Sequence, residues 1–130
     1  MTLYDSSVVI EYLDGDDRAV NYVQAHLDER AVAPPLVMFE VYQGEVFKTG
    51  PTDLDAVDGA LEWLTVIDDT AGSARAAAEL QVQLQQHGET LAARDAYIAG
   101  TAMARDERLV VADSDFDVDG LTAVLTVDFL

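Results

Sequence analysis

Four acidic residues stand in local contexts that would let their carboxylates do chemistry. They are Asp5, Glu40, Asp95 and Asp113. Asp5 closes the first strand pattern, and Asp113 directly follows a continuous apolar run. Glu40 lies within an apolar helix pattern, and Asp95 begins another helix. Asp115, two residues beyond Asp113, is a further candidate for the same cluster.

A cluster of carboxylates suits a hard divalent cation. Mg²⁺ prefers carboxylate oxygens and keeps several of its waters, which leaves room for a substrate. Carboxylates drawn together repel one another and tend to hold protons, and a bound cation reverses that balance. The metal can then activate water and neutralise the charge that develops on a phosphodiester. The residue types therefore indicate metal-dependent hydrolysis.

Each acidic residue also has an ordinary structural explanation. Asp5 can serve as a helix N-cap, and Glu40 can be an exposed helical glutamate. Asp95 in a first helical turn interacts favourably with the helix dipole, which requires no active site. Asp113 and Asp115 can be turn residues or surface acids. Because 25 of the 130 residues are acidic, the flanking sequence carries more information than the acids themselves.

Other chemistries have little support in the sequence. His26 and His87 are far apart and lie in polar stretches, which predicts solvated helix residues instead of a catalytic triad or a zinc site. The segment 44–49 partly matches a phosphate loop, but it lacks the glycine before the lysine and lies in a helix pattern. The large aromatic residues are scattered, which predicts core packing instead of a base-stacking platform. They include Phe39, Phe47 and Trp63.

Strand and helix patterns alternate along the chain and place these acids. The predicted strands cover residues 2–5, 31–33, 65–67, 109–112 and 124–127. The predicted helices cover residues 8–13, 36–47, 53–64, 70–86 and 94–105, with a further helix between Gly15 and Leu27. Thr70 is the predicted cap of the long alanine-rich helix, and Gly88 is its stop. Pro35 suits the first turn of the helix that follows it.

Strands separated by helices predict a three-layer α/β/α sandwich with a mostly parallel central sheet. The run Leu109–Ala112 is apolar throughout, which is typical of a strand buried on both faces. In such sheets ligands bind beyond the carboxyl ends of the strands, where Asp5 and Asp113 are expected to lie. The pattern contains no linker and no repeat, so residues 1–130 are predicted to form a single domain.

The charge balance is extreme, with 25 acidic residues against 7 basic ones and a formal net charge of −18. One explanation is a binding surface for a basic partner. The acids are spread from Asp14 to Asp128, which favours adaptation of the whole surface to high salt, where screening removes self-repulsion. The composition thus indicates a halophilic, archaeal source. In dilute buffer such a surface would repel a phosphate backbone.

Three further observations limit the class of protein. The chain has no cysteine, which excludes disulfides, a thiol nucleophile and a cysteine-based zinc site. It has no apolar run of about 18 residues, and its first residues lack the basic and apolar regions of a signal peptide. Half of the residues are apolar, which is sufficient for a core. We therefore expect a cytoplasmic protein.

The segments around the four acids have distinctive local patterns. Leu3–Ser7 places apolar residues, an aspartate and two hydroxyl residues in a row. Phe39–Gly44 sets a glutamate on a helix with a glycine four residues on, and Arg94–Ala99 contains Asp-x-x-Ile-Ala. Leu109–Phe116, followed by Gly120-Leu121, is a strand, an acidic turn and an Asp-Phe pair. In this order and spacing the segments resemble the PIN-domain family, and within it the VapC-type toxins.

The resemblance implies a metal-dependent endoribonuclease that leaves a 5′-phosphate and a 3′-hydroxyl. By it, one or two Mg²⁺ or Mn²⁺ ions would be bound by Asp5, Glu40, Asp95 and Asp113, with Asp115 as an additional ligand. Ser7 would hydrogen-bond and orient a carboxylate. Val111 stands where the family commonly has a threonine, so that hydroxyl is missing here. Whether Asp113 or Asp115 faces the metal stays open.

The resemblance also implies partners. They are a structured RNA substrate, a second copy in a homodimer, and a small VapB-like antitoxin whose basic tail enters the acidic cleft. Two alternatives stay open. One is a PIN-like domain without activity that only binds a protein partner. The other is a magnesium-dependent phosphatase or receiver-like domain that uses Asp113 or Asp5 covalently, for which Lys48, the one lysine, is badly placed.

Overall fold

The fold is built on a five-stranded sheet. The computed structural model describes residues 1–68 and 71–130, so the predicted cap Thr70 lies outside the described residues. The strands are β1 (Thr2–Tyr4), β2 (Ala31–Ala33), β3 (Leu64–Val66), β4 (Arg108–Val111) and β5 (Val127–Phe129). Their order is β3-β2-β1-β4-β5, and all four pairings are parallel. The predicted α/β class with a mostly parallel sheet is confirmed.

The first strand lies at the centre of the sheet. It pairs with β2 on one side and with β4 on the other, so that Leu3 lies opposite both Val32 and Leu109. All three residues of β1 are buried, as are the last three of β4. Since successive side chains of a strand point to opposite faces, both faces of the sheet are covered here.

Seven α-helices and one short 3-10 helix occur in the described part of the chain. The α-helices are α1 (Ser6–Leu13), α2 (Asp17–Ala25), α3 (Pro35–Phe47), α4 (Leu54–Ala60), α5 (Ala71–Gln85), α6 (Ala93–Ala104) and α7 (Asp119–Thr122). The 3-10 helix covers Ser114–Phe116. None of the helices among these residues is both long enough and apolar enough to cross a bilayer.

Side-chain caps and a proline explain where several helices begin. Asp5, Asp16 and Asp53 each accept a backbone N–H from the first turn of α1, α2 and α4 respectively. Pro35 is the first residue of α3, where its missing N–H leaves no hydrogen bond unmade. After α5, Gly88 has a φ of 71°, a left-handed conformation that favours glycine and ends the helix.

The helix predicted over 53–64 is shorter in the structure and ends at Ala60. Beyond it the chain turns and brings the Trp63 indole edge-to-face against the rings of Tyr4 and Tyr12, at centroid distances of 5.2 and 5.0 Å. Aromatic pairs in this geometry add stability beyond their buried area. The core packing predicted for Trp63 is therefore correct, and the turn that seats its ring replaces the last helical turn.

The last predicted strand also differs from the structure. The sequence predicts a strand over 124–127, whereas β5 begins only at Val127. Leu125 is buried in the turn that follows α7, so its apolar character serves the core without a strand. The start of β5 is set by the pairing of Val127 with Leu109 on β4.

Helix α3 leaves two aromatic side chains in solvent that the sequence predicts in the core. Val37, Met38 and Val41 point into the core. Phe39 is 60% exposed and Phe47 is 77% exposed, so the core packing predicted for these two rings is wrong. The helix is apolar around most of its circumference, and the sequence pattern does not distinguish its inward face.

Helices α5 and α6 approach each other closely. A Cβ built on Gly100 of α6 would lie 2.5 Å from the backbone nitrogen of Ala77 in α5 and 2.9 Å from its Cβ. Only a residue without a side chain fits at this point. Since α6 carries Asp95 in its first turn, this contact helps to set the position of that carboxylate.

Candidate metal centre

Two of the predicted site residues follow neighbouring parallel strands. Asp5 comes directly after β1, and Asp113 lies two residues beyond the end of β4. The Asp5 N–H donates to the Val110 carbonyl at 3.0 Å, which ties the end of β1 to β4. Both aspartates therefore lie at the carboxyl edge of the sheet, where parallel α/β folds bind their ligands.

Asp5 is fully buried and is held by its neighbours. Its Oδ2 accepts hydrogen bonds from the Ser7 hydroxyl at 2.6 Å and from the Ser7 N–H at 3.3 Å. The same hydroxyl accepts the Ala112 N–H at 3.0 Å and so joins α1 to the segment after β4. The N-cap explanation of Asp5 is thus correct, and it leaves Oδ1 for another partner.

Glu40 and Asp95 reach this edge from two helices. Asp95 is in the first turn of α6 and is buried, with 4% of its surface exposed. Glu40 lies in the middle of α3, and its side chain is 23% exposed. The Glu40 Oε1 atom is buried and has no hydrogen-bond partner among the described residues. Such an acceptor is suited to a cation or a water molecule.

Arg94 joins three of the predicted site residues. Its guanidinium donates through Nε to Glu40 and through Nη1 to Asp95. Through Nη2 it donates to Asp5 at 3.4 Å and to the hydroxyl of Ser6. These partners come from α1, α3 and α6 and from the end of β1. The fold therefore brings three of the four predicted carboxylates to one positive charge.

Asp113 lies at the margin of this group. Burial is the main cause that raises the pKa of Asp95, and the nearby charge of Asp113 adds to it. The Asp113 Oδ1 accepts the N–H of Asp115 at 2.9 Å, where the 3-10 helix begins. The Asp115 side chain is exposed. This placement favours Asp113 over Asp115 as a fourth ligand, and both assignments stay predictions.

Burial makes ionisation of the two innermost carboxylates costly. It raises the pKa of Asp5, against the lowering effects of the Ser7 hydrogen bond and the Arg94 charge. It likewise raises the pKa of Asp95, where Arg94 again acts in the opposite direction. Burial by itself lowers the pKa of Arg94, but the hydrogen bond to Glu40 and the surrounding negative charges raise it overall. A bound divalent cation would favour the ionised carboxylates in the same way.

The chemistry of the donor set fits a hard divalent cation. Asp5, Glu40 and Asp95 offer only carboxylate oxygens, the ligands that Mg²⁺ and Mn²⁺ prefer. A cation, the Arg94 guanidinium, already stands where they meet. Within residues 1–68 and 71–130, no three acidic or histidine side chains are arranged so that they could hold a metal ion as they stand. Metal binding at this cluster would therefore need its side chains to rearrange.

The two histidines and the lysine that were weighed for other chemistries are not among the described contacts of this cluster. His26 is half-buried and stacks on Tyr22 with ring centroids 4.1 Å apart, so it is less solvated than predicted. His87 is exposed, as predicted. Lys48 follows α3 and pairs with Glu45 at 2.6 Å. These placements support neither a catalytic triad nor a phosphate loop.

Arg94 and Ser6 are the residues of this site that sequence reasoning does not single out. The sequence pattern draws attention to Asp95, and Arg94 is only the residue before it. One signal exists: Arg94 is one of 7 basic residues in a chain with 25 acidic ones, and it stands beside a predicted ligand. Its contacts with Glu40 and Asp5, 54 and 89 residues away, follow only from the fold.

The chain is similar to known proteins in sequence profile and in fold. The profile of the PIN domain family matches residues 2–120. No curated protein matches the chain by sequence. The structure superposes on FitAcB from Neisseria gonorrhoeae with a TM-score of 0.79 and 21% identity, over 100% of this chain and 97% of that one.

Two VapBC structures are also similar in fold. For VapBC from Salmonella typhimurium bound to DNA, the TM-score is 0.79 at 17% identity, over 98% of this chain and 96% of that one. For VapBC2 from Rickettsia felis bound to a promoter DNA fragment, the TM-score is 0.75 at 18% identity, over 98% of this chain and 97% of that one. At these identities the likeness shows the fold alone.

Proposed function

The chain belongs to the PIN domain family, and from that premise we propose that it is a metal-dependent endoribonuclease, the toxin of a VapBC-type toxin–antitoxin pair. The observation that carries the proposal is the meeting of Asp5, Glu40 and Asp95 at one cation, at the carboxyl edge of the sheet. The cofactor is Mg²⁺ or Mn²⁺, and residues 1–130 form one domain. The substrate is an RNA phosphodiester, which is hydrolysed.

Each carboxylate has its own task in this proposal. Asp5 and Asp95 would anchor the divalent cation, and because both are buried, bulk water competes little for them. Glu40 would complete the cluster through Oε1, the buried acceptor without a partner among the described residues. Asp113 would be the fourth acid, with Asp115 as an additional ligand nearer the solvent. When bound, a divalent cation supplies an activated water and neutralises charge that develops on the phosphodiester.

Ser7 is a positioning residue for this cluster. Its hydroxyl donates to Oδ2 of Asp5 and accepts the Ala112 N–H, so it is fixed by two partners. Asp5 is thereby held with Oδ1 turned toward Arg94 and the other carboxylates. Oriented ligands bind a metal without first losing rotamer freedom, which is the usual benefit of such supporting hydrogen bonds.

The net charge of −18 limits how RNA can bind. In dilute buffer the surface repels a phosphate backbone, whereas in molar salt the screening length falls to about 3 Å and the repulsion is confined to direct neighbours. We therefore propose that the protein works in a salt-rich cytoplasm of a halophilic cell. The divalent cation and local contacts would then hold the RNA.

Exposed apolar side chains on α3 and after it support the proposal of protein partners. Phe39, Val46 and Phe47 are 60%, 49% and 77% exposed, and Leu54 at the start of α4 is 42% exposed. Large apolar side chains left in water are typical of protein interfaces. We assign them to a homodimer or to a VapB-like antitoxin. The basic tail of that antitoxin would be attracted to the acidic cleft.

RNA cleavage in molar KCl with Mn²⁺ or Mg²⁺ tests the proposal. The wild-type chain should cleave, and a chelator should abolish the cleavage. Asp5→Ala and Asp95→Ala should reduce cleavage to background, because each removes a buried ligand. Asp28→Ala, which removes an exposed aspartate after α2, is the matched control and should cleave like wild type. Full activity in both site variants would show that the site is wrongly assigned.

A PIN-like module without activity, which only binds a protein partner, is the second candidate function. The observation that favours it is Arg94, whose guanidinium occupies the carboxylates that a metal would need. A folded wild-type chain that neither cleaves RNA nor binds Mn²⁺ in molar KCl would support it. Cleavage that depends on the metal and on Asp5 would exclude it.

A further inference from the structure

Arg94 is placed where it must affect metal binding. We infer that Arg94 is an internal competitor of the divalent cation: its guanidinium holds the metal-free cluster together and must leave before the metal binds. The inference rests on the proposed metal-dependent function. It concerns a residue that the sequence motif does not include among the ligands.

The competition is for the same atoms. Arg94 hydrogen-bonds to Oε2 of Glu40, Oδ1 of Asp95 and Oδ1 of Asp5. The other oxygen of Asp5 is already engaged by the Ser7 hydroxyl and N–H. A metal ion held by Asp5 would therefore need Oδ1, the oxygen that the guanidinium now holds, whereas Glu40 keeps Oε1, unpartnered among the described residues, free for the metal.

The guanidinium cannot stay beside the metal by becoming neutral. An arginine side chain keeps its proton in proteins, and the negative charges around this one favour the charged form still further. Two cations a few ångströms apart in a partly buried site repel one another strongly. The competition is therefore resolved by movement of the Arg94 side chain.

The structure gives the side chain room to move. Arg94 is the second residue of α6, and its side chain is 33% exposed, so part of it already faces solvent. Its partners contact the guanidinium end of a long side chain with several rotatable bonds. A change of rotamer can therefore withdraw the charge while α6 stays folded.

Five of the six other lysine and arginine side chains are engaged elsewhere. These five form ion pairs with acids outside the cluster. They are Arg18, Lys48, Arg75, Arg105 and Arg108. Among the described ion pairs, those of Arg94 are the ones that involve the predicted ligands. A variant at Arg94 therefore tests the competition without altering the other pairs.

The competition has a measurable size. If the binding-competent state is only a fraction of the population, the apparent dissociation constant is the intrinsic one divided by that fraction. A guanidinium that occupies the cluster about nine-tenths of the time would weaken metal binding about tenfold. Removing it should tighten Mn²⁺ binding by about that factor or more. It should also lower the melting temperature of the metal-free protein, because the remaining carboxylates lose their counter-ion.

The experiment measures Mn²⁺ binding to the full chain by calorimetry in molar KCl. Arg94→Gln removes the charge and should bind Mn²⁺ about tenfold more tightly than wild type. Arg94→Lys keeps a charge but cannot span three carboxylates, so its affinity should lie between the two. Arg75→Gln is the matched control, because it removes the same charge from an exposed pair with Glu79 on α5 and should bind like wild type. Circular dichroism checks that each variant is folded.

A second measurement uses the wild-type chain and does not depend on any variant's folding. Titration with Mg²⁺, followed by NMR of the Arg94 Nε–H, should shift this signal and speed its exchange with water as the hydrogen bond to Glu40 is lost. A lower melting temperature in Arg94→Gln with unchanged or weaker Mn²⁺ affinity would show a purely structural role. That result, or an Nε–H signal unmoved at saturating Mg²⁺, overturns the inference. Metal-dependent cleavage by wild type would then leave the proposed function standing, whereas absence of both cleavage and metal binding rejects the two together.

Discussion

The close approach of α5 and α6 makes Gly100→Ala a sharp test of how the fold positions the site. The new Cβ would lie 2.5 Å from the backbone nitrogen of Ala77, against about 3.5 Å for an unstrained contact. The obstacle is backbone and not the end of a flexible side chain. The two helices must therefore separate by roughly 1 Å.

Two opposing effects set the magnitude. Alanine is favoured over glycine inside a helix by about 1 kcal/mol. Overpacking a tight contact costs about 1–3 kcal/mol, and a rigid backbone obstacle belongs at the upper end. The expected net loss is about 1–2 kcal/mol, which corresponds to a fall in melting temperature of roughly 3–10 °C for a chain of this length. Because α6 carries Asp95, a shift of roughly 1 Å should also lower RNA cleavage about a hundredfold.

Thermal unfolding in molar KCl, followed by circular dichroism, measures the loss, and the RNA assay measures the effect on the site. Gly59→Ala in α4 is the matched control, because a Cβ there meets nothing within 4 Å. It should raise stability by up to about 1 kcal/mol and leave cleavage unchanged. A Gly100→Ala variant that melts at or above the wild-type temperature would refute the close approach and the reasoning built on it.

Three further predictions concern the site and the surface. Burial raises the pKa of Asp5, so the metal-free protein loses stability as the pH rises above 3.8 and through the pKa of Asp5 in the folded state. Asp5→Asn should therefore gain stability relative to wild type over that pH range. A difference in melting temperature between the two proteins that does not change with pH would contradict this. Ser7→Ala removes the hydroxyl between Asp5 and Ala112 and should cost about 1–3 kcal/mol in denaturant unfolding, with exposed Ser114→Ala as the control. With a net charge of −18, the wild-type melting temperature should rise steadily with KCl up to molar concentrations, and higher stability in dilute buffer would argue against a halophilic source.

The central part of the fold could be predicted because its signals are local. The apolar run that forms β4 and the position of Asp5 at the end of the first strand follow from side-chain periodicity and from the rule that parallel strands end at one edge. The start of α3 at Pro35 follows from the fixed backbone angle of proline. These features depend on neighbours in sequence, so a single chain is sufficient to identify them.

The parts that could not be predicted depend on contacts between distant residues. The start of β5 depends on its register with β4, and an apolar run near Leu125 does not reveal that this side chain fills a turn. The exposure of Phe39 depends on which face of an apolar helix meets the sheet. Arg94 is the clearest case, since its three carboxylate partners come together only when α3, α6 and the end of β1 have docked.

The strand order has a consequence for synthesis of the chain. Asp5 follows β1, the central strand, yet β4, which pairs beside it, begins only at Arg108, and α6 begins only at Ala93. During translation Asp5 and Glu40 therefore leave the ribosome long before Asp95 and its neighbours exist. The complete cluster cannot form until α6, which carries Asp95, has been made and has docked. Under the proposed function, a chain still attached to the ribosome therefore lacks a complete carboxylate cluster.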